Sequence, residues 1–178
     1  AEAEAQMDAV LKRTPEDAEA LHLRGLARGR QGKTQEALAD LQAAAVRHAQ
    51  PHAVLSNLGN IKRRAGDLEG AVAAYEAALE RQPDFIDARV NLGIALTDLR
   101  RFAEAVAAFE TVITKQPGHT AALNGLGIVR THQGDEDRAI DAFSTCIAMN
   151  AKAVMPRINR GALHRGRNEI AASLADLD

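Results

Sequence analysis

The sequence predicts an all-α solenoid of antiparallel helical hairpins, and three observations predict it. Gly25, Gly59, Gly93, Gly127 and Gly161 follow one another at a constant step of 34 residues. Ala3, Ala37, Ala71, Ala105, Ala139 and Ser173 keep the same step. Only 3% of the residues are aromatic and none is Trp, so a core must be built from Ala, Leu, Val and Ile, which suits helices that approach closely.

One stretch shows what repeats. From Leu55 to Pro83 the chain reads LSNLGNIKRRAGDLEGAVAAYEAALERQP. Leu55, Leu58, Gly59 and Ile61 share one face of a helix, and Ala71, Tyr75, Ala78 and Leu79 share one face of a second. Gly66-Asp67 between them reads as a turn, and Pro83 stops the second helix. Gly59 and Ala71 lack bulk where the two helices cross, so the backbones come close while Leu55, Leu58 and Tyr75 fill the space around them.

Taken in order, residues 1–17 align with the second half of such a unit, Ala3 standing for Ala71, Met7 for Tyr75, Val10 for Ala78, Leu11 for Leu79 and Pro15 for Pro83. Residues 18–51 form the first complete repeat, with Gly32 at the turn and Ala37, Leu41 and Ala44 on the second helix. Residues 52–85 form the next. In 86–119 the turn glycine is replaced by Arg100, which must accept a backbone conformation that suits it poorly. Residues 120–153 restore Gly134-Asp135. Residues 154–178 form a partial repeat with Asn168 at the turn, where a left-handed residue is tolerated. All are expected to belong to one solenoid domain of about eleven or twelve helices. Neither end has the polar outer face of a capping unit, so the chain is expected to be a fragment of a longer polypeptide or an array whose ends meet another surface.

Two positions change together across the repeats. Leu58, Leu92 and Leu126 each have an alanine sixteen residues on, at Ala74, Ala108 and Ala142. The corresponding pairs at the two ends are Arg24 with Asp40 and Arg160 with Asp176. A buried charge needs a partner, so these pairs are expected to be ion pairs between the two helices of a hairpin.

A 34-residue period of L-x-x-L-G, then G-D, then A-x-x-x-Y-x-x-A-L, then P resembles the tetratricopeptide repeat, and the resemblance covers the whole chain. It implies a right-handed superhelix whose first helices line a concave groove, and a role as an adaptor surface. In the second repeat the groove positions so implied are Ala53, Ser56, Asn57, Asn60, Arg63 and Arg64. The place of Asn57 is taken along the array by Leu23, Asn57, Asn91, Gly125 and Asn159, with Asn124 beside the gap. An asparagine offers both a donor and an acceptor, so such a row can bond the backbone of an extended peptide. The row is similar to the asparagine ladder of the O-linked N-acetylglucosamine transferases, with gaps at Leu23 and Gly125. The carboxylate clamp of chaperone-binding domains is matched at Asn60 and Asn91 only, since Ser56, Ala121 and Gly125 stand where it needs cations. An acidic peptide would rely on Arg63, Arg64, Arg30 and Arg165, while Glu19, Asp87 and Asp98 make the groove mixed in charge.

Composition limits the partners. With 46% hydrophobic and 26% charged residues the chain reads as soluble and globular, and a net charge of -2 with a pI near 6.3 offers no general attraction to nucleic acid or anionic membranes. No apolar run approaches a membrane span. The cytoplasm is the expected compartment, with the periplasm left open because the chain begins without Met and inside a repeat.

No catalytic centre is expected. Cys146 occupies the position of Ala44, Ala78 and Val112, a small buried place on the second helix. His48 and His52 are separated by Pro51 across a repeat junction, and His22, His119, His132 and His164 have no recurring acidic or cysteine partner, so neither a metal nor a cofactor is expected. The expected function is a protein-protein interaction scaffold that binds a peptide or partner protein through Asn57, Asn60, Asn91, Asn124, Asn159, Arg63 and Arg64. Two alternatives stand beside it: a substrate-recruiting arm of a larger enzyme of glycosyltransferase or sulfotransferase type, and a module that self-associates through uncapped ends.

Overall fold

The computed structural model describes residues 2–177, and among these it contains eleven α-helices and no strand. They are α1 (Glu2–Arg13), α2 (Ala18–Arg30), α3 (Thr34–Arg47), α4 (Pro51–Arg64), α5 (Leu68–Arg81), α6 (Ile86–Asp98), α7 (Phe102–Lys115), α8 (Thr120–His132), α9 (Glu136–Met149), α10 (Val154–Gly166) and α11 (Ile170–Leu177). No helix among the described residues is long and apolar enough to cross a membrane.

The turns inside the hairpins obey one rule. Gly32, Gly66 and Gly134 have φ of 78°, 84° and 76°, and Arg100 and Asn168 hold 61° and 62° at the same place in their repeats. Each is the left-handed residue that ends a first helix. The amide after it returns to a carbonyl five residues back, as in Lys33 to Arg28, Asp67 to Lys62, Arg101 to Leu96, Asp135 to Arg130 and Glu169 to His164. Arg100 therefore bears the left-handed conformation without glycine's freedom. Helix starts are capped by side chains where the sequence supplies them: Asp17 accepts from the Ala20 amide at 2.8 Å and Asp67 from Gly70 at 3.0 Å.

The chain divides into two compact units, one reaching to Ala95 and one beginning at Leu96. In the first, α1 packs on α2, α2 on α3, α3 on α4 and α4 on α5. Its core joins Leu11, Leu21, Leu41, Val54, Leu58 and Ile61 through the small residues Ala20, Ala37, Ala44 and Ala74. Tyr75 is fully buried and its ring fills the space that Gly59 leaves open. In the second unit α7 packs on α8, α8 on α9, α9 on α10 and α10 on α11. Phe109, Val112, Val129, Phe143 and Cys146 are the largest of its described side chains that are fully buried.

The Arg–Asp pairs form, and each reaches further than the hairpin. Arg24 donates to Asp40 through Nε at 2.9 Å and Nη2 at 2.6 Å, and to Asp8 on α1 through Nη1 at 2.8 Å. Arg160 makes the same double contact with Asp176 and donates to Ser144 Oγ at 2.7 Å. Asp8 and Ser144 both lie sixteen residues before their arginine, as Asp40 and Asp176 lie sixteen after. Asp40 also accepts from Arg28 Nη1 at 2.8 Å, and Arg28 Nε continues to Glu4 at 3.1 Å.

Glu4 ends this network on α1. Lys33 Nζ lies 2.9 Å from one of its oxygens and 3.1 Å from the other, and Gln31 donates at 3.0 Å. Lys33 first and Arg28 second hold its carboxyl down from 4.5 to about 2. A depressed folded-state value gives stability that is complete above pH 4.5 and is lost as pH falls towards 2. Urea denaturation of the native chain and Glu4→Gln between pH 7 and pH 2 should therefore show a gap that is widest above pH 4.5 and closes on acidification. A gap independent of pH would place Glu4 outside the network's energetics.

Candidate peptide-binding site

Helices α2 and α4 meet along their solvent sides in a cleft of about 280 Å³. Leu26 and Arg30 line it from α2, and Asn57, Asn60, Ile61, Arg63 and Arg64 from α4. The helical spacing of Asn57, Asn60, Arg63 and Arg64 puts them on one stripe, while Val54, Leu58 and Ile61 carry α4 into the core. Five of the contacts named from the sequence, Arg30, Asn57, Asn60, Arg63 and Arg64, thus stand together.

Two of them already use part of their hydrogen-bonding capacity. Asn57 Nδ2 lies 3.0 Å from Nε2 of His22, and Asn60 Oδ1 accepts from the buried Tyr75 hydroxyl at 2.7 Å. These bonds fix the amide planes and engage one end of each amide, the opposite ends being the Asn57 carbonyl and the Asn60 amide. Arg64 donates to the Gly29 carbonyl at 3.1 Å, which lays its guanidinium across from α4 to α2. Ser56, expected on the groove, is buried.

The second unit has an equivalent. A cleft of about 250 Å³ between α8 and α10 is lined by Ile128, Thr131, His132, Phe143, Asn159, Ala162 and Leu163. Ile128, His132, Asn159, Ala162 and Leu163 are the repeat counterparts of Leu26, Arg30, Asn57, Asn60 and Ile61, three repeat steps further on. Here Asn159 donates to Asn124 at a long 3.4 Å, so these two asparagines are brought together by the neighbouring helices. His132 stacks on Phe102, ring centroids 5.6 Å apart. This cleft is more apolar, with alanine where Asn60 stands. Asn91 lies half-buried on α6.

The interruption of the asparagine row at Gly125 has a physical occupant. A Cβ there would lie 2.4 Å from Cζ of Phe109 and 2.6 Å from Cε1, so the ring tip fills the place of the missing side chain. At the other gap Leu23 is exposed.

Several features were not read from the sequence. A wider hollow of about 630 Å³ opens among α7, α8 and α9, walled by Ile113, Leu123, Leu126, Ala142 and the charged Arg130 and Asp141. Its floor is the Leu–Ala pair position, where alanine leaves space. Glu19, expected to face the groove, turns to His48 at the end of α3, its Oε2 lying 2.7 Å from Nε2. Cys146 is buried as expected; its thiol donates to the Thr120 carbonyl at 3.3 Å and burial pushes its pKa up, so it is a poor nucleophile.

Comparison with known proteins agrees with the hairpin pattern. A family model described as tetratricopeptide repeat matches residues 1–54 and 90–153, and a second described as TPR repeat matches 59–99. A tetratricopeptide repeat protein from Parabacteroides merdae superposes with a TM-score of 0.84 at 23% identity, over 97% of this chain and 69% of that one. MamA from Desulfovibrio magneticus gives 0.79 at 18% identity, over 90% of both chains. YrrB, described as a TPR protein with an unusual peptide-binding site, gives 0.73 at 18% identity, over 97% of this chain and 89% of its own. Comparison with curated proteins found no match.

Proposed function

The chain belongs to the tetratricopeptide repeat family, and from that premise we propose that it is a protein-interaction scaffold, without chemistry of its own, that binds an extended peptide segment along its first helices. The observation that carries the reading is the α2–α4 cleft, where Asn57, Asn60, Arg30, Arg63 and Arg64 converge over an apolar floor of Leu26 and Ile61. The YrrB description shows that a peptide site occurs on a protein of similar fold. Asparagine ends that remain open suit a peptide backbone, which offers donors and acceptors alternately. The guanidinium groups at the far end of the stripe suit a carboxylate on the same segment. The occupant proposed is therefore an extended acidic segment, with Asn91 as a further polar contact of the first unit, while Asn124 and Asn159 are proposed as polar contacts of the second unit.

The test is a peptide array of extended acidic and charge-neutralised sequences, with hits measured by fluorescence anisotropy. An Asn57→Ala, Asn91→Ala double variant should lose about 1 kcal/mol per residue, roughly fivefold each, if neutral hydrogen bonds are removed. Arg64→Ala should weaken acidic peptides selectively. Equal affinities for the native chain and the double variant would remove the asparagine row from the account.

A second reading rests on a different surface. Val154, Met155, Ile158, Ile170 and Leu174 are large apolar side chains exposed on α10 and α11, and they suit another helical surface better than water. If they join two copies, the mass in solution rises with concentration, and Ile158→Lys abolishes the rise.

A further inference from the structure

We infer that Glu19, His22 and His48 form a binding site for a divalent transition metal of the zinc type. One ligand atom from each lies within 4.8 Å of the other two. Glu19 and His22 stand one helical turn apart at the start of α2, and His48 caps the end of α3, so the hairpin itself closes the triangle. The histidine rings meet edge to face with centroids 5.0 Å apart. Two imidazoles and a carboxylate are a donor set of borderline softness that zinc takes, leaving a fourth position for water or a ligand carboxylate.

A second observation points the same way. His22 has Nε2 against Asn57, while its Nδ1 is buried with no hydrogen-bond partner. Such an orphan is costly unless something coordinates it or bonds to it. A metal takes the neutral imidazole, through whichever ring nitrogen is free of a proton. When Nδ1 ligates, Nε2 carries the proton, and the Asn57 amide, whose Nδ2 now faces Nε2, turns over to present its oxygen, leaving its NH2 end outward instead of its carbonyl.

His48 needs one rearrangement. Its Nδ1 accepts from the Gln50 amide at 3.0 Å, so the neutral ring keeps its proton on Nε2 and donates it to Glu19. Ligation through Nε2 moves that proton to Nδ1 and releases the exposed Gln50 amide to water. Tetrahedral zinc spaces its ligand atoms about 3.3 Å apart, so the cluster must contract, and the exposed Glu19 side chain is the part with freedom to move. Neither the site nor its test depends on peptide binding.

The test uses the full chain, stripped with chelator and titrated calorimetrically with zinc chloride at pH 7.5, with cobalt(II) absorption as the spectroscopic readout. One zinc per chain is expected. Glu19→Gln and His48→Ala, which change side chains at the hairpin's open end, should each weaken it about tenfold or more while retaining native helicity. His22→Ala should abolish it, and the cobalt d–d bands should vanish with it. No zinc uptake by the native chain would overturn the assignment. So would uptake that Glu19→Gln and His48→Ala leave at native affinity, since the metal would then lie elsewhere.

Discussion

Gly59→Ala is expected to destabilise the first unit by about 2 kcal/mol or more, although glycine is the poorer helix former by roughly 1 kcal/mol. The added Cβ would fall 2.6 Å from Cε1, 2.8 Å from Cδ1 and 2.9 Å from Cζ of Tyr75. That ring has no exposure and its hydroxyl is bonded to Asn60, so it cannot swing aside without breaking a buried hydrogen bond. The repeat supplies its own graded controls. At Gly25 the Cβ meets Leu41 Cγ at 2.9 Å, a branched chain that can change rotamer, and at Gly161 it meets Asp176 Cβ at 3.3 Å. Urea melts should rank the alanine variants with Gly161 the mildest, Gly25 next, and Gly59 with Gly127 the most damaging. Leu41 stands in repeat one where Tyr75 stands in repeat two, so Tyr75→Leu should remove part of the penalty of Gly59→Ala. Equal costs at all four glycines would show that the aromatic partner does not set the requirement for glycine.

The parts of the structure that were legible in the sequence are those that recur at the repeat step or within one hairpin. The left-handed turn residues at 32, 66, 100, 134 and 168 follow from period alone, even where Arg100 and Asn168 replace glycine. Arg24 with Asp40 was legible because two positions change together at a spacing of sixteen. Asp8 and Ser144 were missed because the same spacing was not followed backwards into the preceding hairpin.

What lay hidden in the site has one geometric cause. Asn57 meets His22, Asn159 meets Asn124 and Arg64 meets Gly29, each pair separated by 35 residues, one more than the repeat. Successive first helices are shifted by one residue where their surfaces touch. A row defined at the repeat step therefore names residues that line up, but not the neighbour each one bonds. The Glu19, His22 and His48 triangle escaped for a related reason: it joins the first turn of one helix to the residue that caps the end of its partner, at spacings no motif search uses.

Asp40→Ala should cost more than any single change discussed, about 3–5 kcal/mol, because it strips a largely buried carboxylate from two guanidinium groups. The Asp40 side chain is 6% exposed, and those of Arg24 and Arg28 are 18% and 16% exposed. The bond to Asp40 is the foremost cause that raises the Arg24 pKa, so the arginine cannot escape by losing its proton and must stay charged where water is scarce. Arg28 keeps Glu4 and Glu36, and among the described residues Arg24 keeps Asp8, whose side chain is 41% exposed. The middle repeats show how the protein builds the same place without charge, pairing Leu58 with Ala74 and Leu126 with Ala142. Arg24→Leu combined with Asp40→Ala reproduces that pair in the first repeat. The double variant should therefore recover most of the stability that Asp40→Ala loses, because replacing a buried ion pair by packed apolar groups is often neutral. A thermodynamic cycle over the two sites should give a coupling of about 2 kcal/mol or more. If the double variant were as unstable as Asp40→Ala alone, the cost would lie in the Arg28 contact, and Arg28→Leu in the Asp40→Ala background would recover it instead.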